Sequence, residues 1–262
     1  MPFTLLDRTF APAPDPARVA WLAGRDYAHR GLHGAGRPEN SLSAFAAAIE
    51  AGMGIECDVQ KSSDGQAMVF HDWELSRLTG EAGDIAARQR WELAQVALGA
   101  SAHGDRIPHL SDLLELAAGR VPLLIEIKSK RDRRPAPLCL AVRNALEGYQ
   151  GPAAIMSFDP RVPRWFCRHA AHIVRGLVVT EENDRTVAGS LRRRLWLWHA
   201  RPDFLAYDIR DLPSRFAALQ RARGFPLLSW TVRSAELRTR AAAYADAPIA
   251  EGAGVASAEQ NR

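Results

Sequence analysis

A chain of 262 residues, 47% hydrophobic and 24% charged, has an ordinary globular composition and can bury a large core. The net charge of +4 is mild, and arginine supplies nearly all of the 34 basic residues, so the composition does not support a nucleic-acid partner. Three cysteines without CxxC spacing exclude a disulfide framework and favour a reducing, cytoplasmic location.

The first residues lack a basic leader followed by a long apolar segment, so we expect no signal peptide. No stretch of about 18 apolar residues could span a membrane. Residues 1–24 form a Pro- and Ala-rich lead-in with a short possible helix at 17–22. A short strand is predicted at 26–29, and Asn40 or Ser41 is expected to cap a helix that ends at Ala51.

Residues 54–60 form the next predicted strand. Glu56 and Asp58 are two positions apart and therefore point to the same side of it. The turn signal at 62–65 is followed by another extended run at 67–70. So short a connection requires antiparallel pairing, because a parallel partner needs a crossover of a dozen or more residues. We therefore expect a β-hairpin excursion after the second barrel strand.

From residue 122 onward, strands and helices alternate. With the strands at 26–29 and 54–60, the parallel strands number about eight, which is the count of a closed (β/α)8 TIM barrel. We therefore predict an α/β fold with one catalytic barrel domain over residues 1–262 and a frayed tail at 257–262. The further strands are predicted at 122–128, 153–157, 173–179, 204–207, 226–231 and 247–250.

In such a barrel, functional side chains cluster where the strands end. His29 ends the first predicted strand, Glu56 and Asp58 lie near the end of the second, and Glu126 and Lys128 end the third. Three converging carboxylates repel one another in a low-dielectric cleft, and a divalent cation would remove that conflict. Oxygen ligands suit Mg²⁺ or Ca²⁺, with Mn²⁺ also possible, better than Zn²⁺.

Histidines beside a hard cation indicate acid–base catalysis near neutral pH, and the two candidates are His29 and His71. Arg30 and Lys128 add positive charge, so the site would suit an anion such as a phosphodiester. A structural ion pair between Glu126 and Lys128 remains an alternative.

The chain resembles the glycerophosphodiester phosphodiesterase family through short motifs that occur in the family's order between about residues 26 and 252. Each motif is weak alone, and the ordered set is highly specific. The motifs are His29-Arg30-Gly31, Pro38-Glu39-Asn40-Ser41, Glu56-x-Asp58-Val59, Asp64-Gly65, His71-Asp72, Ile107-Pro108-x-Leu110, Glu126-Ile127-Lys128, Ser157-Phe158 and Trp230-Thr231-Val232.

The resemblance implies a phospholipase-C-like phosphodiesterase barrel that converts glycerophosphodiesters, small-molecule substrates, to glycerol 3-phosphate and an alcohol, through a cyclic phosphate. It implies the following roles. The acid–base pair is His29 and His71, the metal ligands are Glu56, Asp58 and Glu126, the phosphate contacts are Arg30 and Lys128, and Trp230 packs near the alcohol. Glu39 is expected to contact these side chains and not the substrate itself, or to be only a loop carboxylate near a helix N-terminus.

The chain departs from the family pattern in the segment 245–252, where the family has a Thr-Asp-x-Pro-like sequence, and at Arg233, where it often has Asn. Because of these two departures, the sequence defines the type of reaction better than it defines the substrate. A lysophospholipase D-like activity on lysolipids is therefore an alternative. A barrel that binds a phosphoryl ligand without turnover is another, but the full set of two histidines and three carboxylates speaks against it. The short segment between Asp72 and Glu126 predicts a fairly open site. The oligomeric state is not predicted.

The basic, Trp-bearing segment 191–198 has two interpretations. As an outer barrel helix, it would pack its Leu and Trp side chains on the strands while arginines cover the exposed face. As a membrane-surface helix, it would make a weak contact with lipid but no stable insertion. The first interpretation is favoured.

Overall fold

A computed structural model of the chain describes residues 4–182 and 184–255. The strands are β1 (Tyr27–Ala28), β2 (Gly54–Lys61), β3 (Ala67–Val69), β4 (Leu123–Ile127), β5 (Ala153–Ser157), β6 (Val174–Val179), β7 (Phe204–Asp208), β8 (Leu227–Val232) and β9 (Ala247–Ala250). The helices are α1 (Thr4–Phe10), α2 (Pro16–Val19), α3 (Leu42–Glu50), α4 (Ser76–Thr79), α5 (Arg90–Leu93), α6 (Leu110–Ala117), α7 (Ala136–Ala145), α8 (Arg161–His169), α9 (Val187–Ala200), α10 (Arg215–Ala222) and α11 (Ala235–Tyr244).

Eight of the strands form a closed parallel barrel with helices between successive strands, and β3 is bonded on its outside. β3 pairs antiparallel with β2, and Val59 lies opposite Val69. The barrel and the hairpin after its second strand are therefore confirmed. The hairpin forms because the turn at 62–65 reverses the chain within four residues, too few for a parallel crossover.

Residues 27–153 form one compact unit. In this unit β2 pairs in parallel with β1 on one side and with β4 on the other, and nearly all of its residues are buried. Ser41 caps α3, because its Oγ accepts a hydrogen bond from the backbone N–H of Ala44. The segment between β3 and β4 has an apolar core of its own, formed by Met68, Phe70, Leu75, Ile85, Leu93, Val96, Leu98 and Ile107.

The other compact unit comprises residues 4–26 and, with residue 183 left out, 154–255. Its core joins β6 to β9 with α9, α10 and α11, and Tyr207 and Leu197 are fully buried there. Helix α1, which the sequence did not predict, is held by a hydrogen bond from Trp198 Nε1 to Asp7 Oδ1 at 2.7 Å. Asp7 is fully buried, so this long-range bond fixes a segment whose local pattern is weak.

The single-domain organisation over 1–262 stays a prediction. The expected frayed tail at 257–262 and the start of the lead-in lie outside the described residues. Among the described helices, none is both long enough and apolar enough to cross a bilayer.

Candidate metal centre and active site

The turn after β1 carries the first group of site residues. His29 is buried, and the backbone N–H of Arg30 donates to Glu56 Oε2 at 3.0 Å. Gly31 has φ +80°, and a Cβ there would lie 2.9 Å from both the Ala44 carbonyl carbon and Phe45 Cδ1. Only glycine therefore lets this turn lie so close to α3, which fixes the backbone amide that binds Glu56.

The three predicted metal ligands lie together on β2 and β4. Asp58 is the direct cross-strand partner of Glu126, and Glu56 lies two residues earlier on the same side of β2. Each offers one carboxylate oxygen, and these oxygens all lie within 4.8 Å of one another. The three residues are at most 7% exposed. The barrel register thus brings together three acids that are separated by up to 70 positions in the sequence.

Two cations neutralise part of this cluster. Lys128 Nζ lies 2.8 Å from Asp58 Oδ1 and 2.7 Å from Glu126 Oε1, and Arg30 Nε lies 3.2 Å from Asp58 Oδ2. Burial alone would raise the pKa of Asp58, but the charges of Lys128 and Arg30 outweigh it, and this pKa is lowered. Lys128 therefore forms the ion pair that the sequence left as an alternative. Its role as a phosphate contact stays a prediction.

Glu56 is not paired in this way within residues 4–182 and 184–255. No Lys or Arg side-chain nitrogen lies within 4 Å of its carboxylate there, and His29 Nε2 lies at 4.0 Å. The pKa of Glu56 is raised well above its ordinary value, first by burial and then by the charges of Asp58 and Glu126. Three clustered carboxylates with an excess of negative charge fit a hard divalent cation. The donor set thus suits Mg²⁺, Ca²⁺ or Mn²⁺.

Asn40 is a site residue that the sequence argument did not single out. Its Nδ2 donates to Asp58 Oδ2 at 3.0 Å, and its Oδ1 accepts from the Asp58 backbone N–H at 3.1 Å. Asn40 has φ +55°, a region that asparagine enters more easily than most residues. This double contact orients the Asp58 carboxylate. The sequence named Asn40 only as a possible cap of α3 and as a member of the motif Pro38-Glu39-Asn40-Ser41, with no role of its own.

The second predicted catalytic residue, His71, follows β3. Its Nδ1 lies 2.8 Å from Asp72 Oδ1, which favours the proton on Nδ1 and leaves Nε2 for proton transfer. The pKa of His71 is lowered, because burial and the charges of Lys128 and Arg30 outweigh the attraction of Asp58. The Gln60 side chain holds the backbone around His71 in place. Its Nε2 donates to the backbone carbonyls of Phe70, His71 and Asp72.

Glu39 belongs to a chain of charged contacts. It accepts from Arg30 Nη1 at 2.8 Å and forms a two-point contact with Arg77, at 2.6 and 3.2 Å. Arg77 Nε also donates to Asp72 Oδ2. Glu39 is thus connected to Arg30 on one side and, through Arg77 and Asp72, to His71 on the other. Arg77 was missed because it lies in a polar segment with no motif.

Trp230, the predicted neighbour of the alcohol, lies on β8 in the other unit. Its indole N–H donates to the Ala206 carbonyl at 3.0 Å. Its ring packs edge-to-face against Phe158, with ring centroids 5.2 Å apart. These contacts fix the indole plane. Its role beside the substrate stays a prediction.

The model of the glycerophosphoryl diester phosphodiesterase family matches residues 29–256, which is most of the chain. The chain belongs to this family. The matched range includes every predicted site residue, from His29 to Trp230. The family resemblance expected from the ordered motifs is therefore confirmed.

Similar proteins carry the same description. A glycerophosphodiester phosphodiesterase of Bacillus altitudinis is 37% identical over 109 residues, 40% of this chain and 44% of the relative. The chain thus matches less than half the length of this curated relative. A probable glycerophosphodiester phosphodiesterase 2 of Mycobacterium tuberculosis is 29% identical over 221 residues, 78% of each chain. The structure of an Oleispira antarctica phosphodiesterase in complex with the product sn-glycerol-3-phosphate superposes with a TM-score of 0.75, at 24% identity, over 87% of this chain and 93% of that one.

Proposed function

We propose that the chain is a metal-dependent phosphodiesterase that hydrolyses glycerophosphodiesters to glycerol 3-phosphate and an alcohol. The observation that carries the proposal is the cluster of three buried carboxylates, Glu56, Asp58 and Glu126, inside the region matched by the family. The product bound in the Oleispira antarctica phosphodiesterase supports the class of substrate. The substrate partner is then a small molecule, and the cytoplasmic location stays a prediction.

Glu56, Asp58 and Glu126 would hold one divalent cation, Mg²⁺ or Ca²⁺, with Mn²⁺ as a further possibility. When bound, such an ion polarises a phosphoryl oxygen and stabilises the charge that develops on it. Arg30 and Lys128 would contact the same phosphoryl group. Their contacts to Asp58 and Glu126 support this role, since the two cations are already held at the cluster.

Acid–base catalysis would be divided between His29 and His71. One imidazole takes the proton of the neighbouring glycerol hydroxyl as it attacks phosphorus, and the other protonates the departing alkoxide. The resulting cyclic phosphate is opened by water with the two roles reversed. The lowered pKa of His71 supports a neutral imidazole near pH 7, and its bond to Asp72 leaves Nε2 free of protons. Trp230 would pack beside the alcohol.

The direct test is enzyme-coupled detection of glycerol 3-phosphate from glycerophosphocholine, with added Mg²⁺, Ca²⁺ or Mn²⁺ and with EDTA. We expect release that depends on a divalent cation. No release with any of the three ions would refute the proposal. Choline release would be measured in parallel, because cleavage of lysophosphatidylcholine yields lysophosphatidic acid and choline. Choline release from lysophosphatidylcholine but not from glycerophosphocholine would favour the lysolipid alternative.

A further inference from the structure

Helix α9 is apolar on two faces. Its inner face packs Leu197 into the core, with Trp198 partly buried beside it, as the sequence predicted. The prediction does not hold for Leu191 and Leu195, which point outward and are 47% and 50% exposed. They lie four residues apart and so share one stripe of the helix. An outer helix of a barrel normally presents polar side chains there, so this stripe needs another explanation.

Neighbouring elements extend the stripe. A shallow depression of about 470 Å³ is lined by residues of α1, α8, α9 and the turn after it, namely Phe10, Arg164, Leu195, Trp198, His199 and Arg201. Phe10 is 47% exposed, although its ring also contacts Trp198 at a centroid distance of 5.5 Å. Phe10, Leu191 and Leu195 thus form the apolar part of one surface, here termed the α1/α8/α9 surface.

The charge on the α1/α8/α9 surface has one sign. The sequences of α8 and α9 contain arginine and histidine but no aspartate or glutamate, and the one acid of α1, Asp7, is buried. In the described part of the chain, no carboxylate lies within 4 Å of Arg164, Arg168 or Arg201. The acids at the margin, Asp159 and Asp184, are already paired with other arginines.

The unpaired arginines lie next to the apolar stripe. Arg201 donates from Nε to the Phe10 carbonyl at 3.0 Å. Arg164 lines the depression together with Leu195 and His199, and Arg168 lies one helical turn further along the same side of α8. Elsewhere in the described chain, arginines commonly have carboxylate partners, as Arg210 and Arg221 do. The α1/α8/α9 surface therefore combines exposed apolar side chains with uncompensated positive charge.

We propose that the α1/α8/α9 surface docks this protein on an anionic lipid bilayer. Leu191, Leu195 and Phe10 would enter the headgroup boundary, and the long side chains of Arg164 and Arg168 would reach the lipid phosphates. A second copy of the chain fits less well, because a two-fold interface would bring the arginines of each copy against those of the other. An anionic bilayer is complementary in both charge and polarity. This inference does not depend on the proposed catalytic activity.

The test is co-sedimentation of the full chain with vesicles of phosphatidylglycerol and phosphatidylcholine, compared with phosphatidylcholine alone. Both lipids are glycerol phosphodiesters, so capture by the candidate active site would not discriminate between them. We expect binding to the anionic vesicles that weakens at high ionic strength. The double variant Arg164→Gln/Arg168→Gln should bind about 20-fold or more weakly, since each basic side chain near an anionic surface contributes about fivefold. Leu195→Gln should weaken binding severalfold.

Matched controls lie on other outer helices. Leu140→Gln on α7 removes a leucine that is 45% exposed. Arg143→Gln/Arg215→Gln removes two arginines, from α7 and α10, that also have no carboxylate within 4 Å in the described chain. These variants should bind as the wild type does, with unfolding temperatures recorded for all proteins. Absence of wild-type binding at low ionic strength would overturn the proposal, and so would an equal loss in test and control variants. A stable dimer that Leu195→Gln dissociates would also overturn it, because a second copy would then cover this face.

Discussion

Replacing Glu56 by Gln should separate the electrostatic cost of the carboxylate cluster from its proposed metal-binding role. The amide oxygen of Gln can still accept the hydrogen bond from the Arg30 backbone N–H. The substitution therefore removes a buried charge that lacks a Lys or Arg partner within the described residues, and leaves the backbone contact in place. We expect the variant to lose metal binding and activity without losing its fold.

The expected effect of the metal on stability can be calculated. A ligand at 100 times its dissociation constant stabilises the native state by about 2.7 kcal/mol. With an unfolding entropy of about 2.1 cal/mol/K per residue, a chain of this length should gain about 5 °C in Tm. Wild-type protein with saturating Mg²⁺ or Ca²⁺ should show this gain, and Glu56→Gln should show little or none.

Without metal, Glu56→Gln should raise the Tm relative to the wild type, which is the opposite of its effect with metal. The folded-state pKa of Glu56 is raised, so folding favours its neutral form, and this stabilisation is lost as pH rises through the folded pKa. At pH 8 with EDTA, Glu56→Gln should therefore have a higher Tm than the wild type. The difference should shrink as pH falls through the raised pKa towards the ordinary value of about 4.3.

The assay is thermal unfolding followed by circular dichroism, with and without metal, between pH 5 and pH 8. Glu50→Gln, at an exposed glutamate at the end of α3, is the matched control and should leave both the metal-free Tm and the metal-induced gain unchanged. A variant that keeps the full metal-induced gain would refute the assignment of Glu56 as a ligand. A lower metal-free Tm at pH 8 would refute the electrostatic argument.

The remaining predictions concern the catalytic groups and the turn after β1. His29→Ala or His71→Ala should each lower kcat about 10²–10⁴-fold, and a loss below tenfold for both would contradict their roles. With neutral His71 as the base, the midpoint of the acidic limb of the pH–kcat/KM profile should lie below about pH 6.5. Asp72→Asn should move this midpoint lower still, because the hydrogen bond to Asp72 raises the pKa of His71. An upward shift would contradict the role assigned to Asp72. Gly31→Ala should destabilise the fold by about 1–3 kcal/mol more than Gly52→Ala in urea unfolding. Both glycines have positive φ, but only Gly31 lacks room for a Cβ, so equal losses would contradict the steric argument.

The sequence predicted those parts of the structure that local chemistry determines. The alternation of apolar runs indicated the eight barrel strands, and the two-residue spacing of Glu56 and Asp58 placed both carboxylates on one side of β2. The turn at 62–65 predicted the antiparallel hairpin. In each case the deciding interaction lies within a few residues of the pattern, so the pattern was sufficient.

Contacts between distant segments could not be predicted in the same way. Arg77 reaches Glu39 across 38 positions, and its α4 helix is a single turn in a polar segment. Lys128 was considered as an ion-pair partner of Glu126 only, but its ammonium also contacts Asp58, because the parallel register places the two acids side by side. Helix α1 depends on a bond from Trp198 that spans 191 positions. No periodicity in the sequence encodes these pairings.

The two halves of the candidate site are held in different ways. Glu56, Asp58 and Glu126 lie on strands of the closed barrel, and hydrogen bonds along those strands fix them. His71 follows β3, which lies outside the barrel and pairs antiparallel with β2, so no hydrogen bond between parallel barrel strands fixes it directly. Its place is determined by the Gln60 amide, which binds the chain around it, and by Arg77, which joins Asp72 to Glu39.

The segment around Arg77 therefore connects the hairpin histidine to the cluster that would hold the metal. Glu39 contacts Arg30, and Arg30 contacts both Glu56 and Asp58. We expect a change at Arg77 to shift His71 relative to Glu56, Asp58 and Glu126, although Arg77 contacts none of these three acids among the described contacts. Since proton transfer requires hydrogen-bond geometry, variation in the irregular segment after Asp72 should affect turnover more than its surface position suggests.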